Sequence, residues 1–82
     1  AGILNGDLLF VKRSQTANRN DIVVARLGDE ATVKRYIPGP DHVRLQPENS
    51  ALQPIIVKRA EAAAKGFELL GVVVGLFRNT ML

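Results

Sequence analysis

Short apolar segments separated by turn signals are the feature that most constrains this chain, and they predict β-structure. The segment Ile22–Leu27, "IVVARL", is rich in β-branched residues and is followed by the tight turn "GDE" at Gly28–Glu30. The next segment, "ATVKRYI" at Ala31–Ile37, is therefore expected to pair back on the first as a hairpin. The prolines of "PGPD", Pro38–Asp41, should break the ladder because proline lacks a backbone N–H donor.

Four further segments have the same short, apolar character and are expected to be strands. They are Asp7–Arg13, His42–Gln46, Pro54–Val57 and Phe67–Arg78. In the last of them, Gly71 and Gly75 indicate a bulge, a bend or a close backbone contact. The sequence thus predicts an all-β fold, which is a small, mostly antiparallel sheet or a partly open barrel.

The segment Arg59–Gly66 differs from its surroundings because it is rich in alanine. Glu61 and Lys65 are spaced to pair on a helix surface, and the glycine stands where a helix would end. It predicts one or two turns of helix or a flexible connector between two strands.

Length and composition limit what the chain can do. The 82 residues are expected to form one domain, spanning residues 1–82, and a domain this small gains stability from oligomerisation. The chain has no cysteine and a single histidine, His42, so we expect no metal site and no cofactor.

The charge pattern and the apolar segments argue against nucleic acid and membranes as direct partners. The net charge is +3, and the cations stand in pairs, not in blocks with interleaved aromatic residues. The longest apolar run, Leu69–Phe77, is too short to cross a membrane, and no signal peptide is recognisable. A cytoplasmic location is expected.

Two adjacent cations, Lys34 and Arg35, interrupt the apolar pattern of a predicted strand. Neighbouring residues of a strand point to opposite faces, so one of the two should point inward if one face of the sheet is buried. Burial disfavours the charged form of an amine, and a neutral lysine can take a proton from a serine hydroxyl as a general base. On the residues alone, a lysine that keeps its head in water is the simpler explanation.

No other set of catalytic residues stands out. Ser14 and Ser50 lie in polar loops without the glycine-rich elbow that exposes a nucleophile, and His42 belongs to a different region. The sequence therefore predicts no Ser–His–Asp triad. Lys34 is the one candidate for a catalytic base.

The motifs "ILNGDLL", "IVVARLGDEATVK" and "LQPENSALQPI" with "VGLFRN" carry a resemblance that extends over nearly the whole chain. They resemble the C-terminal domain of the LexA repressor family, which includes the UmuD proteins and lambda-type phage repressors. The first is "ILNGDLL" at Ile3–Leu9, and the second is "IVVARLGDEATVK" at Ile22–Lys34. The third is "LQPENSALQPI" at Leu45–Ile55, together with the closing "VGLFRN" at Val74–Asn79.

The resemblance implies a self-cleaving peptidase with a Ser–Lys dyad, in which Lys34 is the general base. It also implies a cytoplasmic repressor of the SOS response to DNA damage, which binds operator DNA through a separate N-terminal domain. RecA filaments on single-stranded DNA would stimulate cleavage. The family forms homodimers through the last strand, which here implies contacts by Val74, Gly75, Leu76, Phe77 and Arg78.

The sequence departs from the family pattern in one decisive respect and in one smaller respect. The family's nucleophilic serine belongs to a G-x-S-M segment a few residues before "ILNGDLL", and the 82 residues do not include it. We therefore expect a truncated domain that is inactive alone, with the serine and the scissile Ala-Gly bond upstream of Ala1. By position, Ala1-Gly2 is not that bond. The stretch Lys58–Gly66 is also longer and richer in alanine than the family pattern.

Two alternatives stay open at the level of the sequence. The same fold could belong to a UmuD-like or phage-repressor relative, and the region upstream would distinguish these from a LexA-like repressor. The chain could instead be a non-catalytic β dimerisation module, in which Lys34 only pairs with a carboxylate.

Overall fold

A single antiparallel sheet makes up the computed structural model, which describes residues 6–78. Its six strands are β1 (Leu8–Arg13), β2 (Ile22–Leu27), β3 (Glu30–Pro38), β4 (His42–Gln46), β5 (Ile55–Lys58) and β6 (Phe67–Phe77). Their order across the sheet is β1-β6-β2-β3-β4-β5, so β1 and β5 form its two edges. The all-β prediction is confirmed, and of its two forms the open sheet is the one found.

The hairpin of β2 and β3 follows the predicted turn. Leu27 pairs with Glu30, which leaves Gly28 and Asp29 as a two-residue loop. Gly28 has a φ of +63°, and a positive φ at the first loop position is typical of a type II′ turn. This turn suits the right-handed twist of the strands, and it fixes the register of β3 against β2.

The proline-rich turn after β3 begins one residue later than predicted. Pro38 still pairs with Val43, and the turn is closed by the Gly39 N–H, which donates to the His42 carbonyl at 2.8 Å. The predicted break is found at Gly39–Asp41 and excludes only Pro38, because a proline at the last position of a strand interrupts no further ladder bond.

The alanine-rich segment forms a short helical turn. Of the two alternatives predicted for it, helix or flexible connector, the helix is the one found. A 3₁₀ helix covers Arg59–Glu61 and the chain continues in turns to Gly66, whose φ is +68°. The Gly66 N–H donates to the Ala63 carbonyl at 3.1 Å, and the Phe67 N–H to the Ala62 carbonyl at 2.9 Å. These two bonds are those of a Schellman cap, which explains why glycine ends the segment.

The core lies on one face of the sheet. The buried apolar side chains are Val23, Ala25, Tyr36, Val43, Leu45, Val57 and Leu69. Residues that pair directly across strands share a face, and Tyr36 pairs with Leu45 just as Val43 pairs with Val57. The burial pattern of β2 and β4 therefore alternates, with every second residue turned into this core.

Two irregularities in β6 confirm the prediction drawn from its glycines. The register shifts opposite Val24/Ala25 and again opposite Phe10/Val11. Gly71 is buried, and a Cβ there would lie 2.5 Å from Cγ1 of Val11. The close approach of β1 to β6 therefore needs glycine at this position.

An ion pair joins the ends of β1 and β6. Asp7, whose side chain is only 3% exposed, accepts hydrogen bonds from Arg78 Nε at 3.0 Å and from Arg78 Nη2 at 2.9 Å. The carboxylate raises the pKa of the Arg78 guanidinium above its ordinary value. This two-point contact fixes the start of β1 against the end of β6. Between residues 6 and 78, no helix is long and apolar enough to span a membrane.

Replacing Gly71 by alanine should destabilise the domain by about 1–3 kcal/mol, because the new methyl group overlaps Val11 and the Lys12 carbonyl. Urea unfolding of both glycine variants measures the effect. Gly75→Ala is the matched control, since its Cβ would make only ordinary contacts with Phe10 at 3.5 Å or more. Equal unfolding free energies for the two variants would contradict the packing described here.

Candidate active site

The alternation of β3 separates the two adjacent cations. Lys34 pairs with Val23 and so lies on the face that holds the core, while Arg35 pairs with Ile22 and Gln46 on the opposite face. The two cations therefore have different surroundings, although they are neighbours in sequence.

The Lys34 amine is partly buried and bonds to uncharged groups. Its Nζ donates to Thr32 Oγ1 at 2.7 Å and lies 3.5 Å from the Val33 carbonyl oxygen. Thr32 and Lys34 are two residues apart on one strand, so their side chains share a face. Within residues 6–78, no carboxylate lies within ion-pair distance of Lys34, unlike the pairing that the non-catalytic alternative expects.

One edge of β3 is open beside Lys34. The register pairs β4 with Arg35–Pro38 only, whereas β2 pairs with Glu30–Arg35 along the other edge. Among the strands of the described chain, none covers the β4-side edge of Thr32–Lys34. Such an edge offers backbone N–H and C=O groups to an added strand.

A cavity of about 270 Å³ lies between this part of β3 and the loop that joins β4 to β5. Its lining residues are Val33, Lys34, Pro47, Glu48, Asn49 and Leu52. A larger cavity, of about 560 Å³, lies against β1 and β6. We place the candidate site in the smaller one, because it contains the lysine and the larger one contains no predicted site residue.

The loop wall of the cavity has a defined local structure. The Asn49 side-chain oxygen accepts a hydrogen bond from the Ala51 N–H at 3.0 Å, and the Asn49 carbonyl accepts one from the Leu52 N–H at 3.0 Å. This is an Asx turn followed by a tight backbone turn. It carries Leu52 to the cavity although the side chain is mostly exposed.

Neither serine of the described segment is placed as a nucleophile for Lys34. The Ser14 hydroxyl donates to the Thr16 carbonyl at 2.6 Å and accepts from the Thr16 N–H at 3.1 Å, which is a local turn. Ser50 is exposed in the β4–β5 loop. Of these two serines, neither lines the cavity beside Lys34.

The His42 side chain lies outside the lysine cavity and bonds to its neighbour in sequence. In the turn after β3, its Nδ1–H donates to Asp41 Oδ1 at 2.9 Å, and this hydrogen bond lowers the pKa of the Asp41 carboxyl below its ordinary value. Neither residue lines the lysine cavity. Over residues 6–78, no group of three His, Cys, Asp or Glu side chains is arranged to hold a metal ion.

The residues expected to form a dimer contact lie at the end of β6. Val74 is 65% exposed and Phe77 is 52% exposed, and Leu76 is also exposed, while Gly75 is half-buried. The Arg78 guanidinium is held by the carboxylate at the start of β1. Because β6 lies between β1 and β2, it offers exposed side chains, and not a free strand edge, to a partner.

Two parts of the site were not predicted from the sequence. Thr32 was noted only as part of a motif, although the two-residue period of a strand places it beside Lys34. The loop residues Glu48, Asn49 and Leu52 belong to the third resembling stretch but were given no role, because their approach to β3 depends on where the β3–β4 ladder ends.

One family model matches most of the chain. The family model described as Peptidase S24-like matches residues 1–74. The chain therefore belongs to the Peptidase S24-like family.

The relatives of this chain include several LexA repressors. The chain is 55% identical over 79 residues to the LexA repressor of Sorangium cellulosum, a match that covers 96% of this chain and 34% of that protein. It is 53% identical over 79 residues to the LexA repressor of Geotalea uraniireducens, with 96% and 38% covered. For the LexA repressor of Myxococcus xanthus the identity is 52% over 78 residues, with 95% and 34% covered. The resemblance to the LexA family is confirmed, and the chain spans about a third of the length of these relatives.

Asn49→Ala should loosen the loop wall, because the Ala51 N–H loses its side-chain acceptor. We expect faster hydrogen exchange at Ala51 and Leu52 and a loss of about 1 kcal/mol in unfolding free energy. Asn49→Asp keeps an acceptor oxygen and is the control. If both variants exchange like the parent, the turn is not held by this side chain.

Proposed function

We propose that this chain is the C-terminal part of a LexA-like repressor of the DNA-damage response, and that it takes part in self-cleavage with Lys34 as general base. The observation that carries the proposal is the position of Lys34. Within residues 6–78, the amine lies on the core face, forms its hydrogen bonds with Thr32 and the Val33 carbonyl, and stands beside a strand edge that no other strand covers. About half of the residues are identical to those of LexA repressors, which supports the same assignment.

The proposed chemistry needs a neutral lysine and a serine. Lys34 Nζ accepts the proton of the seryl hydroxyl while Oγ attacks the scissile carbonyl carbon. The tetrahedral intermediate then collapses, and the ammonium returns the proton to the leaving amine, which leaves an acyl-serine ester. Water hydrolyses this ester, with Lys34 again as base. In the family the serine comes from the G-x-S-M segment, which is not among these 82 residues.

Thr32 has a supporting role in this mechanism. Its hydroxyl is 2.7 Å from Lys34 Nζ, on the same face of the strand. A hydrogen bond of this kind restricts the rotamers of a long, flexible side chain and directs its nitrogen.

The open edge of β3 suits the substrate that a self-cleaving repressor presents. An extended peptide can add to Thr32–Lys34 as a further strand, with its backbone groups bonded to the edge. The scissile bond would then be held close to the lysine by backbone contacts, which makes the attack effectively intramolecular.

In a LexA-like repressor, cleavage separates the operator-binding domain from the dimerising domain, and RecA filaments stimulate it. A UmuD-like or phage-repressor relative would use the same site for a different purpose. A helix-turn-helix domain upstream would indicate a repressor, and a short tail would indicate a UmuD-like protein. The non-catalytic module remains the alternative from another class.

Self-cleavage can be tested in a fusion that joins the upstream part of the Sorangium cellulosum LexA repressor to residue 1 of this chain, called the fusion below. The fusion should cut itself at alkaline pH, with a rate that rises with pH as the amine loses its proton. Lys34→Ala should abolish cleavage, with a loss of at least roughly 10³-fold, because the serine then lacks its base. Gel electrophoresis after incubation at a series of pH values measures the rate.

The role of Thr32 supplies the control for this experiment. Thr32→Ser keeps a hydroxyl acceptor and should retain more of the rate than Thr32→Val, which has the same shape as threonine without the oxygen. If the parent fusion and Lys34→Ala both stay whole, even with activated RecA, the peptidase proposal is wrong.

We further propose that the exposed apolar side chains at the end of β6 form the two-fold contact of a homodimer. Phe77 pairs with Leu8 of β1 and shares a face of the sheet with Leu8 and Phe10, and these three side chains are exposed. Val74 and Leu76 are also exposed, on the other face of the same strand end. A patch of this kind on a small domain favours association. A two-fold axis would bring the same patch of each copy together.

Phe77→Glu should convert a dimer of the 82-residue chain into a monomer, because it places a charge in the apolar contact. Leu52→Glu is the control, since Leu52 is exposed to a similar extent but lies in the β4–β5 loop. Sedimentation velocity distinguishes the two states. A parent that is monomeric throughout the accessible concentration range, or a Phe77→Glu variant that remains dimeric, would contradict this contact.

A further inference from the structure

Arg35 holds two loops with one guanidinium. Its Nη1 donates to the Asn20 carbonyl at 2.8 Å, and its Nη2 donates to Glu48 Oε1 at 2.6 Å. The side chains of Arg35 and Glu48 are each about one-third exposed, at 36% and 37%. The first partner belongs to the loop between β1 and β2, and the second to the loop between β4 and β5.

Arg35 stands at the end of the ladder between β3 and β4. Arg35 is the residue at which pairing between β3 and β4 stops, because its partner Gln46 is the last residue of β4. Beyond that pair, the chain from Pro47 runs past Val33 and Lys34 without strand pairing. Where the ladder ends, the ion pair between Arg35 and Glu48 connects β3 to the β4–β5 loop. Glu48 also lines the cavity beside Lys34.

Asn20, the other partner of the Arg35 guanidinium, is itself held in place by backbone hydrogen bonds to β3. The Asn20 N–H donates to the Tyr36 carbonyl at 2.8 Å, and the Tyr36 N–H donates to the Asp21 carbonyl at 2.8 Å. Asn20 has a φ of +74°, a left-handed conformation that asparagine tolerates better than most residues. The guanidinium is therefore anchored to a backbone carbonyl that is itself docked on β3.

We propose that Arg35 is a positioning residue for the cleavage reaction, which holds the β4–β5 loop as the wall of the Lys34 cavity. The inference rests on the proposed function of Lys34 and adds a role for the neighbouring cation on the opposite face. Arg35 lies on the face of the sheet opposite Lys34, and its hydrogen bonds go to Asn20 and Glu48. It acts through Glu48, which sets the distance between the loop and the open edge of β3.

The two-point contact explains why arginine suits this position. A guanidinium presents several N–H donors in a rigid plane and can bond the Asn20 carbonyl and the Glu48 carboxylate together. A lysine would keep the charge but concentrate its donors on one nitrogen. Arg35→Lys should therefore recover only part of the function of the parent.

The experiment compares Arg35→Gln and Glu48→Gln with Arg26→Gln in the fusion. Arg26 is a matched control on the same face of the sheet, because its guanidinium also bonds one carboxylate, Glu68 at 2.8 Å, and one backbone carbonyl, Gly28 at 3.0 Å. Arg26→Gln should cleave like the parent. Arg35→Gln and Glu48→Gln should lower the maximal rate roughly 10- to 100-fold, since a misplaced wall no longer aligns the peptide.

The pH profile separates positioning from a direct effect of charge. We expect the maximal rate to fall while the pH at half-maximal rate stays that of the parent. A shift of that midpoint to higher pH after loss of the Arg35 cation would mean that Arg35 acts on the lysine through its charge, and this would overturn the proposal. Equal rates for Arg35→Gln and Arg26→Gln would overturn it as well.

Hydrogen exchange tests the contact without any cleavage. In the 82-residue chain, Arg35→Gln should speed the exchange of the Ala51 and Leu52 amides severalfold, while Arg26→Gln should leave them unchanged. If Arg35→Gln does not change these amides, the wall is not held by Arg35 and the inference is wrong. A parent fusion that never cleaves would instead remove the proposed function, and the two failures are therefore distinct.

Discussion

The alternation of side chains along β3, locked by its pairing with β2, is the constraint on which the site depends. Because Val23 lies opposite Lys34 and Ala25 opposite Thr32, both polar residues are directed to the face that holds the core. A shift of the register by one residue would place Arg35 there and expose the lysine. The turn at Gly28 fixes that register, so a local backbone preference decides which cation lies on the core face.

Local signals in the sequence predicted much of the fold. The bounds of β2 and β4 were predicted without error, because β-branched and alternating residues between clear turns define them. The cap at Gly66 was also predicted, since a glycine after an alanine-rich segment is a local feature. Lys34 was singled out by its position in an apolar strand, but the residues alone favoured a solvated lysine, and the family resemblance was needed to propose a base.

The contacts that shape the site and join β1 to β6 could not be predicted in the same way. Arg35 meets Glu48 across 13 positions of sequence, and Asp7 meets Arg78 across 71. Such pairs depend on where ladders end and how strands are ordered. Neither the hydrophobic periodicity of a sequence nor its turn residues predict these two properties. The placement of β1 against β6, and not beside β2, has the same origin, because long-range pairing sets strand order.

The central claim is that Lys34 stands ready to accept the proton of a serine that meets it at the open edge of β3. A crystal structure of the uncleaved fusion, with its scissile glycine replaced to prevent cleavage, tests this most directly through the distance between Lys34 Nζ and the seryl Oγ. The account predicts a hydrogen bond of about 2.6–3.2 Å between them, with the peptide lying along Thr32–Lys34. A serine that lies far from the amine, or a Lys34 paired with a carboxylate, would contradict it.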